Sequence, residues 1–356
     1  MQTAALLLAA SLASAHAGVP TPRYLQWIEL PEVIAAGTPA WPADEISGMA
    51  FSPLTRELLI VPDDRSQEGP ARVGRLSIQR IEPDGFIHLG PIRWSPLLDR
   101  NGSPFEKNTV DPEAVCITGY TTGVGRAIII AWVSEGYAKG GVDQGVYTQS
   151  LPGDRAEATA LPEAFRHDRP VEPTRGVRHN RGFESVAFST HPETPGLYAA
   201  VERPLIQDEG SGVCRVLVHN QGRTHTIGYP LGPAPEGTEA GSSSLAELVA
   251  LPRGGFFALE NADRGDGTVV STLWWTTPLG ATHLDGIASL ADPVAREPIF
   301  MEKRLVLDLS TLSEGERLGD LEAMAIVNDT DRDLLLIAED NDGKGPTRLL
   351  VFELAR

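Results

Sequence analysis

Five times along this 356-residue chain an acidic residue precedes a short apolar run, and a second apolar run then ends on another acid. The first copy sets Glu45 before residues 46–51, followed by residues 58–61 and then Asp63 and Asp64. The second sets Glu113 before 114–117, followed by 127–133 and Glu135. In the third, Glu184 leads and Glu202 closes; in the fourth, Glu247 leads and Glu260 closes; in the fifth, Glu322 leads and Glu339 and Asp340 close. Carboxylates gathered in one place repel one another and hold their protons more tightly unless positive charge sits among them. As hard oxygen donors they suit Ca²⁺, which takes 6–8 oxygens at ~2.3–2.6 Å. Arg65, Arg203 and Arg264 lie just beyond three of the closing positions and offer a second source of positive charge.

The elements that must bring these acids together are β-hairpins. In an antiparallel hairpin the start of the first strand and the end of the second lie at the same end of the ladder. Each repeat has the sequence of such a hairpin with room for two more strands: residues 73–81 and 86–94 flank the turn Pro83-Asp84-Gly85, and residues 214–219 and 224–229 flank Asn220-Gln221-Gly222. The leading glutamates are spaced 68, 71, 63 and 75 residues apart, and wrapping from Glu322 through the C-terminus to Gly18 and on to Glu45 adds 61. Even spacing around a circle is the signature of a closed ring of repeats. The sequence thus predicts an all-β, closed β-propeller of five blades, with 151–165 and 281–309 leaving room for a sixth that lacks the motif. The run 24–30 supplies the strand missing from the last blade, so N- and C-terminal strands close the ring and hide its edges.

On this geometry Glu45, Asp63, Asp64, Glu113, Glu135, Glu184, Glu202, Glu247, Glu260, Glu322, Glu339 and Asp340 collect on one rim as candidate metal or ligand groups. A structural role is equally compatible with the repetition, because an acid before a strand can accept backbone N–H groups from the neighbouring blade and lock the ring.

The motifs Glu45-Ile46-Ser47-Gly48, Asp63-Asp64-Arg65, Gly182-Phe183-Glu184, Glu202-Arg203-Pro204-Leu205 and Leu321-Glu322-Ala323-Met324, with Glu339-Asp340-Asn341 and Thr347, resemble the phytase-like family, also called esterase-like activity of phytase. The resemblance runs from about Glu45 to Leu354. It implies a propeller, export, and hydrolysis of a phosphoester or ester with bound Ca²⁺ holding a small anionic substrate. The positions matching the family's motifs are Glu45, Asp63, Asp64, Arg65, Glu184, Glu202, Arg203, Glu322, Glu339 and Asp340. No catalytic residue is assigned among them.

Charge and composition narrow the partners. A net charge of −18 argues against nucleic acid and anionic membrane surfaces, both of which need a basic face. Residues 4–15 have the length and apolar character of a signal-peptide core, and Ala15-His16-Ala17 offers a cleavage site, so residues 1–17 read as a leader and 18–356 as one exported, monomeric domain. Cys116 and Cys214 invite a disulfide in an exported protein, but each occupies an apolar strand position where a buried thiol packs well. No Ser carries Gly at both −2 and +2, no Cys/His set has zinc spacing, and Asp340-Asn341-Asp342-Gly343 lacks the acid at the twelfth position of a calcium loop. Arg178-His179-Asn180-Arg181-Gly182 and Asp263-Arg264-Gly265-Asp266-Gly267 read as loop and turn. Three readings remain: a Ca²⁺-assisted ester hydrolase, a non-catalytic ligand- or partner-binding propeller with structural metal, and a lactonase-like hydrolase with one central metal and Asn261 or Asn341 among its ligands.

Overall fold

The computed structural model describes residues 19–31, 33–122, 127–137, 141–169, 172–292, 297–312, 319–329, 331–340 and 346–355. The leader 1–17 and Asn341 lie outside them.

Five blades form a ring, and no sixth is present among the described residues. After an N-terminal strand β1 (Pro22–Glu29), blade 1 contains β2 (Ile46–Ser52), β3 (Glu57–Pro62), β4 (Arg72–Ile81), β5 (Ile87–Leu89) and β6 (Arg93–Pro96). Blade 2 is β7 (Pro112–Tyr120), β8 (Ile128–Ser134), β9 (Gly145–Leu151) and the two-residue β10 (Glu157–Ala158). Blade 3 is β11 (Phe183–Ser189), β12 (Gly196–Val201), β13 (Val213–Asn220) and β14 (Arg223–Pro230). Blade 4 is β15 (Ser244–Ala250), β16 (Phe256–Asp263), β17 (Val269–Thr277) and β18 (Glu302–Asp308). Blade 5 is β19 (Asp320–Asn328), β20 (Asp333–Asp340) and β21 (Arg348–Leu354), completed by β1, which pairs antiparallel with β21 from Pro22 opposite Leu354 to Glu29 opposite Arg348. The two stretches that left room for a sixth blade provide only the outer strands β10 and β18.

Burial on both faces explains why the inner strands are nearly continuous apolar runs. Along β3, Leu58 and Ile60 pack with blade 5, whereas Leu59 and Val61 pack with blade 2. The core is therefore a series of layers between blades. Adjacent inner strands approach closely enough that a Cβ on Gly48 would lie 2.7 Å from the Ala114 Cα. The β13–β14 turn has Gln221 and Gly222 at φ of 49° and 74°, the left-handed conformations of the hairpin turn its sequence predicts. Both cysteines are free and buried. No helix among the described residues is long and apolar enough to cross a membrane.

One irregularity repeats in all five blades and positions the site. Each inner strand carries a β-bulge near its start: at Ser47 in β2, Glu113 in β7, Glu184 in β11, Ala246 in β15 and Glu322 in β19. A bulge inserts one unpaired residue and turns its side chain out of the regular alternation.

Candidate functional site

The five bulge residues and the five residues that close the second strands line one cavity of about 220 Å³ at a mouth of the ring. Ser47, Glu113, Glu184, Ala246 and Glu322 come from the bulges, and Asp63, Glu135, Glu202, Asn261 and Asp340 from the closing positions. The ladder explains the second set. Asp63, Glu135 and Glu202 donate their amides to the carbonyls of Glu45, Asp111 and Gly182 (2.9, 3.2 and 2.8 Å), while Asn261 and Asp340 pair with Ser244 and Asp320. All five thus occupy equivalent places where the inner hairpin opens onto the channel. Asn180, Arg181 and Ser244 complete the lining.

This arrangement corrects the register read from the sequence repeat. Glu113, Glu184 and Glu322 are equivalent, but their counterparts are Ser47 and Ala246, not Glu45 and Glu247. Glu45 precedes β2 in a left-handed conformation (φ 53°) and stands beside the mouth, where burial and then the charge of Asp340 push its pKa up to about 7. Glu247, one residue past the bulge, turns into the blade stack at 1% exposure and accepts the Leu248 amide at 2.8 Å. The amide of Val186 on the neighbouring blade also stabilises its charged form, against a burial that drives its pKa well up. Its role is the ring-locking one.

A one-residue displacement also removes Asp64, Glu260 and Glu339 from the cavity lining. Asp64 pairs with the buried Arg72 and accepts the Ser66 amide at 2.8 Å. Glu260 accepts from Tyr229 Oη (2.5 Å), the Gly232 amide (2.9 Å) and Lys303, whose ammonium lies 3.9 Å from the Trp274 ring centroid. Glu339 is clasped by Arg348 and the Gly319 amide. Side chains alternate along a strand, so neighbours in sequence face opposite ways. Glu260 and Glu339 turn into the blade interior, and Asn261 and Asp340 into the channel.

The arginines divide in the same way. Arg65 reaches Asp111, Glu135 (3.3 Å) and the Asn180 side chain, and so bridges blade 2 to the loop before β11. Arg203 donates to the Ser242 carbonyl at 2.8 Å and does not line the cavity. Arg264 is exposed in the β16–β17 turn, away from the lining. In its stead the loop 178–182 presents Arg181, whose Nη1 donates to both oxygens of Glu202 at 2.8 and 2.9 Å. Nothing in the repeat marked Arg181 or Asn180, because they precede the strand rather than belong to it. The sequence signal for Asp111 is that it shares the ladder position of Glu45, two residues before the bulge.

Burial sets the electrostatics. It pushes Glu113, Glu184 and Glu322 well above the usual carboxylate range, and the charges of facing acids add to it: Asp63 and then Glu184 at Glu113, Glu135 and Glu202 at Glu184, Asp340 and Asp320 at Glu322. Asp63 is raised by burial and then by the adjacent Asp111 carboxyl, and Glu135 is pushed to about 7, chiefly by burial. Oxygens of Asp63, Asp111 and Glu113 all lie within 4.8 Å of one another. Asp111 is 0% exposed, yet its Oδ1 has no hydrogen-bond partner. A buried carboxylate oxygen without a donor is costly, and a cation removes that cost. These all-oxygen donors fit Ca²⁺.

No curated protein matches the chain. Solved structures are similar in general chain course. An endo-arabinase from Bacteroides thetaiotaomicron VPI-5482 is 8% identical with a TM-score of 0.46, covering 94% of this chain and 98% of that one. An exo-1,5-α-L-arabinanase from a bovine ruminal metagenomic library is 7% identical with a TM-score of 0.45, covering 88% and 93%. A GH32 β-fructofuranosidase of Bombyx mori is 13% identical with a TM-score of 0.43, covering 99% and 67%. The family model described as "Phytase-like: Esterase-like activity of phytase" matches residues 42–343, and with its repeated motifs and closed ring the chain belongs to that family.

Proposed function

We propose that the chain is an exported hydrolase that cleaves a small phosphoester or carboxylic ester at the acidic mouth of the ring, with Ca²⁺ as its cofactor. The observation that carries this reading is the convergence of Asp63, Asp111 and Glu113 around a buried oxygen that lacks a donor. These three residues would hold the ion, with Glu135 and Glu184 lining the same cavity. Bound there, calcium supplies the positive field that a chain of net charge −18 lacks, and polarises the ester oxygen.

The protein's own groups do the rest. Arg181 uses Nη1 on Glu202 and offers its remaining N–H groups to an anionic substrate. Arg65 holds Asp111, Glu135 and Asn180 in place across the gap between blades. Export is proposed on the apolar run 4–15. The test is calcium content of the purified protein, followed by hydrolysis of a phosphomonoester and a carboxylic ester. EDTA abolishes the reaction and calcium restores it on this reading; indifference to both overturns it.

A second reading has its own support. The pairing of Arg65 with Asp111 and of Arg181 with Glu202 already neutralises part of the ring. A non-catalytic propeller with structural metal predicts that calcium raises the melting temperature while no ester is turned over.

A further inference from the structure

The cavity is five-fold in its backbone but not in its charge. Ten equivalent positions surround it, and blade 4 fills its two with Ala246 and Asn261, where blades 2, 3 and 5 each have two acids. Ser244, also from blade 4, is neutral as well. Asn261 is fixed rather than free to swing: its Nδ2 donates to the Leu321 carbonyl at 3.0 Å and its Oδ1 accepts from Ser271 at 2.7 Å. Ala246 sits at the bulge where a glutamate stands in blades 2, 3 and 5, and lines the cavity with a methyl group in place of a carboxylate. The uncharged wall adjoins the one cavity-lining cation among the described residues, because Arg181 and Glu202 belong to blade 3 and the Leu245 amide of blade 4 donates to the Glu202 carbonyl at 2.9 Å.

We infer that blade 4 is the specificity wall for the uncharged alcohol half of the ester, with the anionic half directed to Arg181 and to the calcium that Asp63, Asp111 and Glu113 would hold. This rests on the hydrolase reading for the identity of the ligand and adds its chemical class: a small monoester with one anionic group and a neutral alcohol. Size agrees, since about 220 Å³ falls below the ~300–1,000 Å³ of sites for drug-sized ligands. Charge agrees too. A ligand anionic all round would place part of its charge against Ala246, Asn261 and Ser244, none of which can neutralise it, and a buried unpaired charge is strongly disfavoured.

The test measures binding to the calcium-loaded full chain by calorimetry, using glycerol 2-phosphate and 2,3-bisphosphoglycerate as probes. Glycerol 2-phosphate binds at least tenfold more tightly than the bisphosphate, and Ala246→Glu weakens it at least tenfold while the calcium-induced rise in melting temperature persists. Glutamate is accommodated at this bulge in three other blades, and Ala246→Val serves as an uncharged variant that fills the same space and also weakens binding. Tighter binding of the bisphosphate, no detectable binding of glycerol 2-phosphate, or unchanged binding by folded Ala246→Glu and Ala246→Val overturns the inference. Binding with the stated preference but without turnover leaves the inference standing and sinks the hydrolase reading instead.

Discussion

Neighbouring carboxylates on the same strands have opposite fates. Glu339 and Asp340 end β20, and Glu260 lies beside Asn261 in β16, yet Glu260 and Glu339 are clasped by Lys303 and Arg348 while Asp340 joins an acid-lined channel. The same division separates Asp64, paired with Arg72, from Asp63. Asp64, Glu260 and Glu339, turned into the blades, are each buried with a cation and a backbone N–H donor, so their charge is compensated by the fold. An acid turned to the axis meets other acids, and Glu113, Glu184 and Glu322 are raised by burial and by one another. The first kind stabilises; the second stores repulsion that an added cation relieves.

The largest test of this contrast removes a compensated acid. Glu260→Ala leaves the Lys303 ammonium buried without its carboxylate, and chemical denaturation is expected to show a loss of about 3–5 kcal/mol. Glu113→Gln, on the channel side, is expected to leave the fold intact and to abolish the stabilisation that the proposed calcium site predicts for the parent, about 2.7 kcal/mol at a hundredfold excess over Kd. A calorimetric scan with and without calcium separates the two.

Titration of the calcium-free protein sharpens the comparison further. Glu135 is raised from an ordinary 4.5 to about 7, so between those pH values the folded state holds a proton that the unfolded state has lost. The folded form is therefore favoured at the acid end, and stability falls as pH rises through this window, by about 3 kcal/mol for one such group. Thermal melts from pH 5 to 8 should show that decline in EDTA and its suppression by calcium; a flat profile in EDTA contradicts the account. The smallest effect is at Arg264, exposed in a turn outside the cavity. Arg264→Ala is expected to change stability by less than about 0.5 kcal/mol and to leave ligand affinity unaltered.

The local pattern of the chain determined the ring. Apolar runs of strand length, hairpin turns such as Asn220-Gln221-Gly222, and acids recurring at near-even intervals specify five hairpins and a closure by the N-terminal strand, because period and spacing are properties of the chain itself. Which acid of each copy faces the axis was decided only in three dimensions. The bulge at the start of each inner strand decides which residue turns inward: Ala246 rather than Glu247, its neighbour one residue on, and Ser47 rather than Glu45, two residues before it. Arg181 and Asn180 enter the site from a loop whose path depends on Arg65 and Glu202 of other chain segments, and no spacing in the sequence encodes a contact of that kind.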